Sequence, residues 1–316
     1  MNRLLLILTI IISGAGCSVS QKSRVLFVNS YHEGYPISDQ VMEGAKDELQ
    51  GKKVDLEFFF LNSKINPEND SIIERSTEAY IFAKQFDPEV IILSDDNAVK
   101  FFGKVYYDSL NVPFVFCGVN WDHRAYTLPP DQFTGILEVL PVRECVDILR
   151  KSNPDAKKLG ILSENTNSEK KNQIYLNTIT AMENEYRLVD NFTQWKSNFL
   201  ELSRSCDFIF IPTNGGIRNW NDDEAIAFIK ENIKVPIFTC DEFMMKYADF
   251  GMTKIPREPG EWAARTTLLL LKGKNVEDIP VAKNSQFQTW VNPDIARATG
   301  FDPSILANYK IYPQGK

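Results

Sequence analysis

The polarity pattern of this chain consists of short apolar runs that alternate with helix-length segments. Residues 87–98 and then 111–120 resemble residues 206–216 and then 234–243. In each pair, a run of β-branched and apolar residues ends in small polar side chains, and a second run begins with Val-Pro and ends in a Cys and polar groups. A parallel strand buried on both faces has this continuous apolar character. The repeat therefore predicts one α/β lobe that is built twice.

Strand and helix signals alternate along most of the chain, which is typical of doubly wound α/β sheets. The predicted strands lie near residues 24–30, 54–61, 89–94, 113–118 and 134–139, and, after a restart at Pro141, near residues 158–163, 187–190, 208–212 and 236–240. Helices are predicted between them, for example over residues 38–50 and 71–86, the second after an Asn-Asp-Ser cap signal.

Three later segments do not fit a division into two consecutive halves. Residues 249–255 look extended, residues 258–271 helical and residues 285–291 like a final strand. The chain would then pass from one lobe to the other, back, and across again. This predicts an α/β protein with two doubly wound, Rossmann-like lobes joined by a three-crossing hinge. The expected boundaries are residues 22–138 with 255–286 for the first lobe and residues 139–254 with 287–316 for the second.

Residues 1–17 indicate export. A short polar start is followed by an unbroken apolar run over residues 4–12 and by small residues that lead to Cys17. The apolar run is too short to span a membrane as a helix and is typical of a signal peptide. Residues 15–17 resemble the bacterial lipobox, although Gly14 stands where that motif usually has Leu. The resemblance implies that Cys17 is lipidated and anchors the protein at a membrane surface; the alternative is an ordinary cleaved signal with an incidental Cys.

The composition excludes some partners. The net charge is −7 and no Lys/Arg cluster offsets it, which argues against nucleic acid. A mature chain of about 300 residues is long enough for two lobes with separate cores. We expect a monomer, because a pair of lobes that closes on a hinge needs no partner to complete its site.

Polar side chains follow the apolar runs of both lobes, at residues 94–97 and 213–216. Ligands of such sheets bind outside the carboxyl ends of the strands, and two facing lobes would enclose a small molecule between them. The expected ligand contacts of the first lobe are Ser30, Tyr31, His32, Tyr35, Asp95, Asp96, Asn97, Gly118, Asn120 and Glu138. Those of the second lobe are Asn165, Ser168, Asn214 and Asp241.

These residues suit a small charged or hydroxylated ligand. The loop with Tyr31, His32 and Tyr35 offers aromatic rings and backbone N–H groups near a predicted helix start, which suit a carboxylate. Asp95 and Asp96 can accept hydrogen bonds from an ammonium or from sugar hydroxyls. Consecutive residues that leave a strand seldom face one substrate, so we expect one to contact the ligand and the other to cap the next helix.

Three assignments stay open from the sequence. Glu138 can meet a ligand cation or form a salt bridge between the lobes. Trp121 can pack on the surface or line the cleft. Asn167 or Ser168 can serve as the N-cap of a helix instead of meeting the ligand.

No cofactor or metal is expected. His32 and His123 lie far apart in the sequence, and the scattered carboxylates show no ligand spacing. Residues 213–216 look like part of a phosphate loop but lack the Lys-Ser/Thr of a P-loop, which argues against a nucleotide.

The cysteines raise an enzymatic alternative. The spacing of Cys117, Cys145, Cys206 and Cys240 indicates no disulfide framework, and we expect buried thiols. Cys117 and Cys240 end equivalent strands, and two thiols that face each other across a lobe interface would suit an amino-acid racemase. No nucleophile–base pair accompanies them, so we expect a binding protein and not an enzyme.

Several motifs together point to a family. The segments at residues 25–49, 94–98, 116–120, 261–281 and 290–306 resemble, in their order, the type I periplasmic binding fold. Within that fold, the chain is similar to the ABC-transporter substrate-binding family whose members end in Asn-x-x-x-Ala-x-x-x-Gly. The matching residues here are Asn292, Ala296 and Gly300.

This resemblance implies a Venus-flytrap receptor. Such a protein is a solute-binding lipoprotein on the periplasmic or extracellular face of a membrane. It closes on a small molecule, here expected to be an amino acid or a related polar or carboxylate compound, and delivers it to an ABC permease. Related domains also act as ligand sensors, so the alternative is a lipoprotein that signals to a separate sensor kinase or chemoreceptor.

Overall fold

The structure is a computed structural model of the chain. It describes residues 22–66 and 68–313. The predicted signal peptide and the predicted lipidation site Cys17 lie outside these residues.

The strands, in chain order, are β1 Ser23–Asn29, β2 Val54–Phe60, β3 Val90–Ser94, β4 Phe114–Asn120, β5 Phe133–Glu138, β6 Lys158–Glu164, β7 Glu183–Val189, β8 Phe208–Phe210, β9 Ile237–Thr239, β10 Phe250–Lys254, β11 Ala282–Lys283, β12 Phe287–Val291 and β13 Lys310–Ile311. The helices are α1 Pro36–Leu49, α2 Asn69–Phe86, α3 Asp95–Asn97, α4 Lys104–Leu110, α5 Val142–Ser152, α6 Asn167–Ile179, α7 Phe192–Ser205, α8 Asp222–Asn232, α9 Arg257–Leu270 and α10 Pro293–Thr299, with a π-helical segment over Ala98–Gly103.

The strands form two sheets of the same design. The first has the order β11-β5-β4-β3-β1-β2 and the second the order β13-β12-β10-β9-β8-β6-β7. All neighbours pair in parallel except β10 and β12. The orders β2-β1-β3-β4-β5 and β7-β6-β8-β9-β10 are equivalent, so the repeat in the sequence corresponds to a repeat in topology. The predicted α/β fold class is confirmed.

Each sheet is buried on both faces, which explains its continuous apolar runs. In β1, Val25 and Phe27 pack in one hydrophobic core with residues of α1 and α9. Leu26 and Val28 point to the opposite face and pack in another core with residues of α2. Successive side chains of a strand point to opposite faces, so a strand covered on both sides needs apolar residues throughout.

Several predicted elements differ from the structure. The strand predicted near residues 187–190 is the longer β7, whose polar start was missed because β7 is an edge strand with half-buried side chains. The segment 285–291 is not the final strand, since β13 follows it and pairs with β12. Helix α2 begins at Asn69 after Glu68, with no side-chain cap, so the predicted Asn-Asp-Ser cap is wrong.

The chain crosses between the two sheets three times, after β5, β10 and β11. Asn284 ties two crossings together: its N–H donates to Leu137 O at 3.0 Å and its Oδ1 accepts from Val139 N at 2.7 Å. The buried carboxylate of Glu258 accepts from Ser285 N at 2.8 Å and Gln286 N at 2.9 Å. The three crossings are therefore hydrogen-bonded to one another where they leave the sheets.

Candidate ligand-binding site

Tyr31 and Asp95 meet at the carboxyl ends of β1 and β3. The Tyr31 hydroxyl donates to Asp95 Oδ2 at 2.6 Å. Burial and the neighbouring charge of Asp96 raise the pKa of Asp95 to about 7. The ring centroids of Tyr31 and Tyr35 are 4.8 Å apart, and Lys64 Nζ lies 4.9 Å from the centroid of the Tyr31 ring. This corner of the site therefore combines aromatic surface with a carboxylate that ionises with difficulty.

Asp96 faces a different set of partners from Asp95. It accepts from Asn120 Nδ2 at 2.7 Å, from Asn120 N at 3.3 Å and from the Tyr126 hydroxyl. The expectation that one of the two carboxylates caps the next helix is wrong, because the N-cap of α3 is Ser94 and neither Asp side chain acts as its N-cap. Asp95 Oδ1 accepts instead from the adjacent N–H of Asp96. The two carboxylates hence diverge, as their positions in sequence imply.

Ser30 and Asn97 connect the segments that follow β1, β2 and β3 in the first lobe. Ser30 is fully buried, and its hydroxyl donates to Ser94 O at 2.6 Å and accepts from Ala98 N at 2.8 Å. Asn97 Nδ2 donates to Ser63 Oγ at 2.9 Å. The Ser30 hydroxyl thus donates to one end of α3 and accepts from the other, and it joins both to the end of β1.

His32 and Gly118 lie close to the same edge. The His32 ring packs edge-on 5.7 Å from the Tyr35 ring, and its buried Nδ1 has no hydrogen-bond partner in the described part of the chain. Gly118 has a φ of 74° at an irregularity in the pairing of β4 with β5. This left-handed conformation favours glycine, and the irregularity shifts the register of Asn120.

Lys254 links Glu138 of the first sheet to Asp241 of the second lobe. Its Nζ lies 2.6 Å from Glu138 Oε1 and 3.5 Å from Asp241 Oδ1, and all three side chains are mostly buried. Burial acts to lower the pKa of Lys254, but the charges of Asp241 and Glu138 prevail and raise it. Of the two roles that the sequence allowed for Glu138, the structure shows the salt bridge between the lobes. Its partner, Lys254, was not among the residues expected from the sequence.

These three residues line a cavity of about 370 Å³ between the lobes. Its other lining residues are Ile37, Gln40, Glu242, Phe243, Thr253, Pro256 and Tyr312. The cavity brings exposed apolar side chains of both lobes next to the buried charges.

The predicted contacts of the second lobe are more dispersed. Asn165 is exposed and its Nδ2 donates to Asp190 Oδ1 at 3.1 Å. Asn214 is half-buried in the loop after β8, where its carbonyl accepts from Ile217 N at 3.0 Å. Ser168 is the second residue of α6, and its side chain lies outside the described structure. The N-cap of that helix is Thr166, so neither Asn167 nor Ser168 is the cap.

Asn172 links Trp121 to Glu169 in an unpredicted hydrogen-bonded connection between the lobes. Burial raises the pKa of Glu169 to about 7, with Glu164 and Asp241 nearby, and Glu169 Oε1 accepts from Asn172 Nδ2 at 2.7 Å. Asn172 Oδ1 in turn accepts from Trp121 Nε1 at 2.6 Å. The Trp121 ring is 7% exposed, so Trp121 lies between the lobes and not on the surface. Only the fold reveals this contact, since the residues are about 50 positions apart.

The cysteines belong to the cores. Cys117, Cys145, Cys206 and Cys240 are free and buried. Burial raises the pKa of Cys117 to about 12 and that of Cys240 well above its ordinary value. Cys117 lies in a core of the first sheet, whereas Cys240 lies beside Cys145 in a core of the second. The racemase alternative therefore lacks the facing pair of reactive thiols that it requires.

The described residues hold neither a metal site nor a membrane-spanning helix. Within them, no group of His, Cys, Asp and Glu side chains is arranged to hold a metal ion. None of the helices in that part of the chain combines the length and apolar character needed to cross a membrane.

Comparison with known proteins identifies the class that the two-sheet fold defines. Residues 106–304 match the model of the ABC transporter substrate binding protein family. An open, ligand-free substrate-binding protein with adhesive properties from Clostridium difficile superposes with a TM-score of 0.69 at 15% identity, over 93% of this chain and all of its own. A domain from Streptococcus pneumoniae in complex with L-Trp superposes with a TM-score of 0.64 at 15% identity, over 92% and 99% of the two chains.

The family match covers more than half of the chain, which therefore belongs to the ABC transporter substrate-binding protein family. A curated relative, the tyrosine-binding protein of Clostridioides difficile, is 22% identical over 187 residues, or 58% of this chain. The matched region spans about half, 54%, of that relative's length. The family consists of binding proteins and not of enzymes.

Proposed function

We propose that this protein captures a small solute with an ammonium group, such as an amino acid, between its two lobes. The observation that carries the proposal is the excess of carboxylates over cations at the strand ends and at the start of α6. Asp95, Glu138 and Asp241 are half-buried there and Glu169 is buried, and Lys254 is paired with Glu138 and Asp241. Burial raises the pKa of Asp95 and of Glu169 to about 7, and a ligand ammonium supplies a counter-charge to such carboxylates in a water-excluded site.

An aromatic amino acid fits the remaining surface best. The rings of Tyr31 and Tyr35 pack against each other beside Asp95, and an aromatic ligand gains both area and ring contacts there. We assign the ligand carboxylate to Lys254, whose ammonium can donate a further hydrogen bond beside Glu138 and Asp241. The name of the curated tyrosine-binding relative supports the same class of ligand.

The mode of action follows from the hinge. We infer two lobes, residues 22–138 with 255–286 and residues 139–254 with 287–316, that close on the ligand because it contacts both. Closure then marks the loaded protein for an ABC permease, the usual partner of this family. We further propose that the protein acts as a monomer outside the cytoplasm, held at the membrane through a lipidated Cys17.

A thermal-shift screen tests the proposed ligand class. Amino acids, sugars, nucleosides, organic acids and divalent metals are each added to the protein, and a ligand at a hundredfold excess over its Kd adds about 2.7 kcal/mol of stability. We expect a clear shift with amino acids, the aromatic ones above all. A shift with sugars or metals but with no amino acid would refute the proposal.

A further inference from the structure

A second cavity, of about 560 Å³, lies beside the first crossing. None of the strand-end carboxylates proposed above for ligand binding lines it. Its walls come from both sides of the crossing: Leu137 and Val281 belong to the first sheet's side, and Ile179 belongs to α6 of the second. The cavity therefore lies between the two lobes, and Trp121 of its wall is linked through Asn172 to Glu169.

The wall of this cavity is apolar and aromatic. Val139 and Leu140 of the crossing line it together with Trp121 and Tyr175. The Trp121 and Tyr175 rings are stacked, with centroids 5.4 Å apart and planes inclined by 4°. Tyr175 is only partly buried. A flat aromatic ring can rest against this wall and bury apolar surface that is now open to water.

Cations from both lobes line the same cavity. Lys283 belongs to β11 of the first sheet, and within the described residues its ammonium forms no ion pair. Arg143 belongs to α5, and its Nε lies 3.9 Å from Asp147 Oδ2, with both side chains largely exposed. Arg124 is already paired with Asp122 at 2.7 Å. Glu144 is the remaining acid of the lining, so Arg143 and Lys283 face one carboxylate and the lining carries a net charge of +1.

We propose that this cavity is a second ligand site, which takes a small aromatic acid. The ring lies on the Trp121–Tyr175 wall, and the anionic group lies between Lys283 and Arg143. The two cations come from opposite lobes, so the bound acid favours the lobe arrangement in which both line the cavity. Such a ligand changes the affinity of the strand-end site through its preference for one arrangement of the lobes.

The probe is 8-anilinonaphthalene-1-sulfonate, an aromatic anion whose fluorescence rises in an apolar site. It is titrated into the protein, and we expect one saturable site. Lys283→Gln and Arg143→Gln should each weaken binding about threefold to fivefold, the effect of one exposed charge. Thr178→Trp, which fills the cavity from an exposed position of α6, should abolish the saturable signal.

Lys274→Gln is the matched control, because it removes an exposed Lys outside the cavity and should leave the Kd unchanged. The proposal is overturned if the two charge variants bind within twofold of the unaltered protein, or if Thr178→Trp retains the full signal. Displacement of the probe then tests the aromatic requirement. Indole-3-acetate should displace it at lower concentration than octanoate, and the reverse order would overturn an aromatic ligand.

Discussion

Nζ of Lys254 lies 2.6 Å from Oε1 of Glu138, so an ion pair joins the end of β10 in the second sheet to the end of β5 in the first. Asp241 lies on the other side of the same ammonium, at 3.5 Å. The three charges are mostly buried at the base of the cleft. They link two crossings, and the cluster of one ammonium and two carboxylates keeps a net charge of −1.

Lys254→Met should therefore destabilise the protein by about 3 kcal/mol, because it leaves two carboxylates buried without a counter-charge. The free energy of unfolding from urea denaturation measures this effect. A second change, Glu138→Gln, should recover part of the loss in the double variant. The exposed pair of Arg297 and Asp294 is the matched control, and Arg297→Met should cost less than about 1 kcal/mol. Equal losses at both pairs would contradict a buried role for Lys254.

The raised pKa of Asp95, about 7, predicts that ligand affinity depends on pH. A ligand ammonium favours the ionised carboxylate, so below this pKa the ligand must displace a proton. The ligand affinity should therefore fall as the pH falls, by about tenfold from pH 8 to pH 6 for one such group. Calorimetric titration at the two pH values measures it, and buffers of different ionisation enthalpy report the proton released.

Asp95→Asn is the control for that experiment, since an amide cannot titrate. Its affinity should be low at both pH values and nearly independent of pH. A pH dependence that persists unchanged in this variant would assign the titration to another group, with Glu169 the next candidate.

Trp121→Phe should weaken ligand binding about fivefold, because it removes the indole N–H bond to Asn172 that joins the two lobes, worth about 1 kcal/mol. Trp290→Phe is a matched control: its indole N–H donates to Thr253 Oγ1 at 2.9 Å within the second sheet. That change should affect stability but not affinity. Equal affinities of Trp121→Phe and the unaltered protein would show that the contact does not favour closure.

The raised pKa of Asp249 predicts that the free energy of unfolding depends on pH. Burial raises its pKa to about 7, and its carboxylate accepts from Ile237 N and from the Thr299 hydroxyl. Between pH 4 and 7 the unfolded carboxyl ionises while the folded one stays protonated, so stability falls as pH rises through this range. Compared with Asp249→Asn, the unaltered protein should lose on the order of 2 kcal/mol between pH 5 and pH 7.5. A constant difference between the two proteins at all pH values would contradict the raised pKa.

The sequence was sufficient where the signal was local. Runs such as Val25–Val28 are apolar because the sheet is covered on both faces, so the strands and the polar residues that follow them, Asp95 and Asn120 among them, could be located. Contacts between distant segments gave no local signal. Lys254 pairs with a residue 116 positions away, and Glu169 becomes a buried carboxylate only through the packing of α6.

The most direct test of the central claim, that the strand-end carboxylates receive a ligand ammonium, compares L-tyrosine with its deaminated analogue 3-(4-hydroxyphenyl)propionate by isothermal titration calorimetry. The two differ only in the ammonium group. We predict that L-tyrosine binds saturably and that the analogue binds at least a hundredfold more weakly, because a hydrogen bond to a charged group contributes about 3 kcal/mol. We also predict that this difference in affinity is lost in Asp95→Asn. Equal binding of both compounds, or an unchanged preference in Asp95→Asn, would contradict the claim.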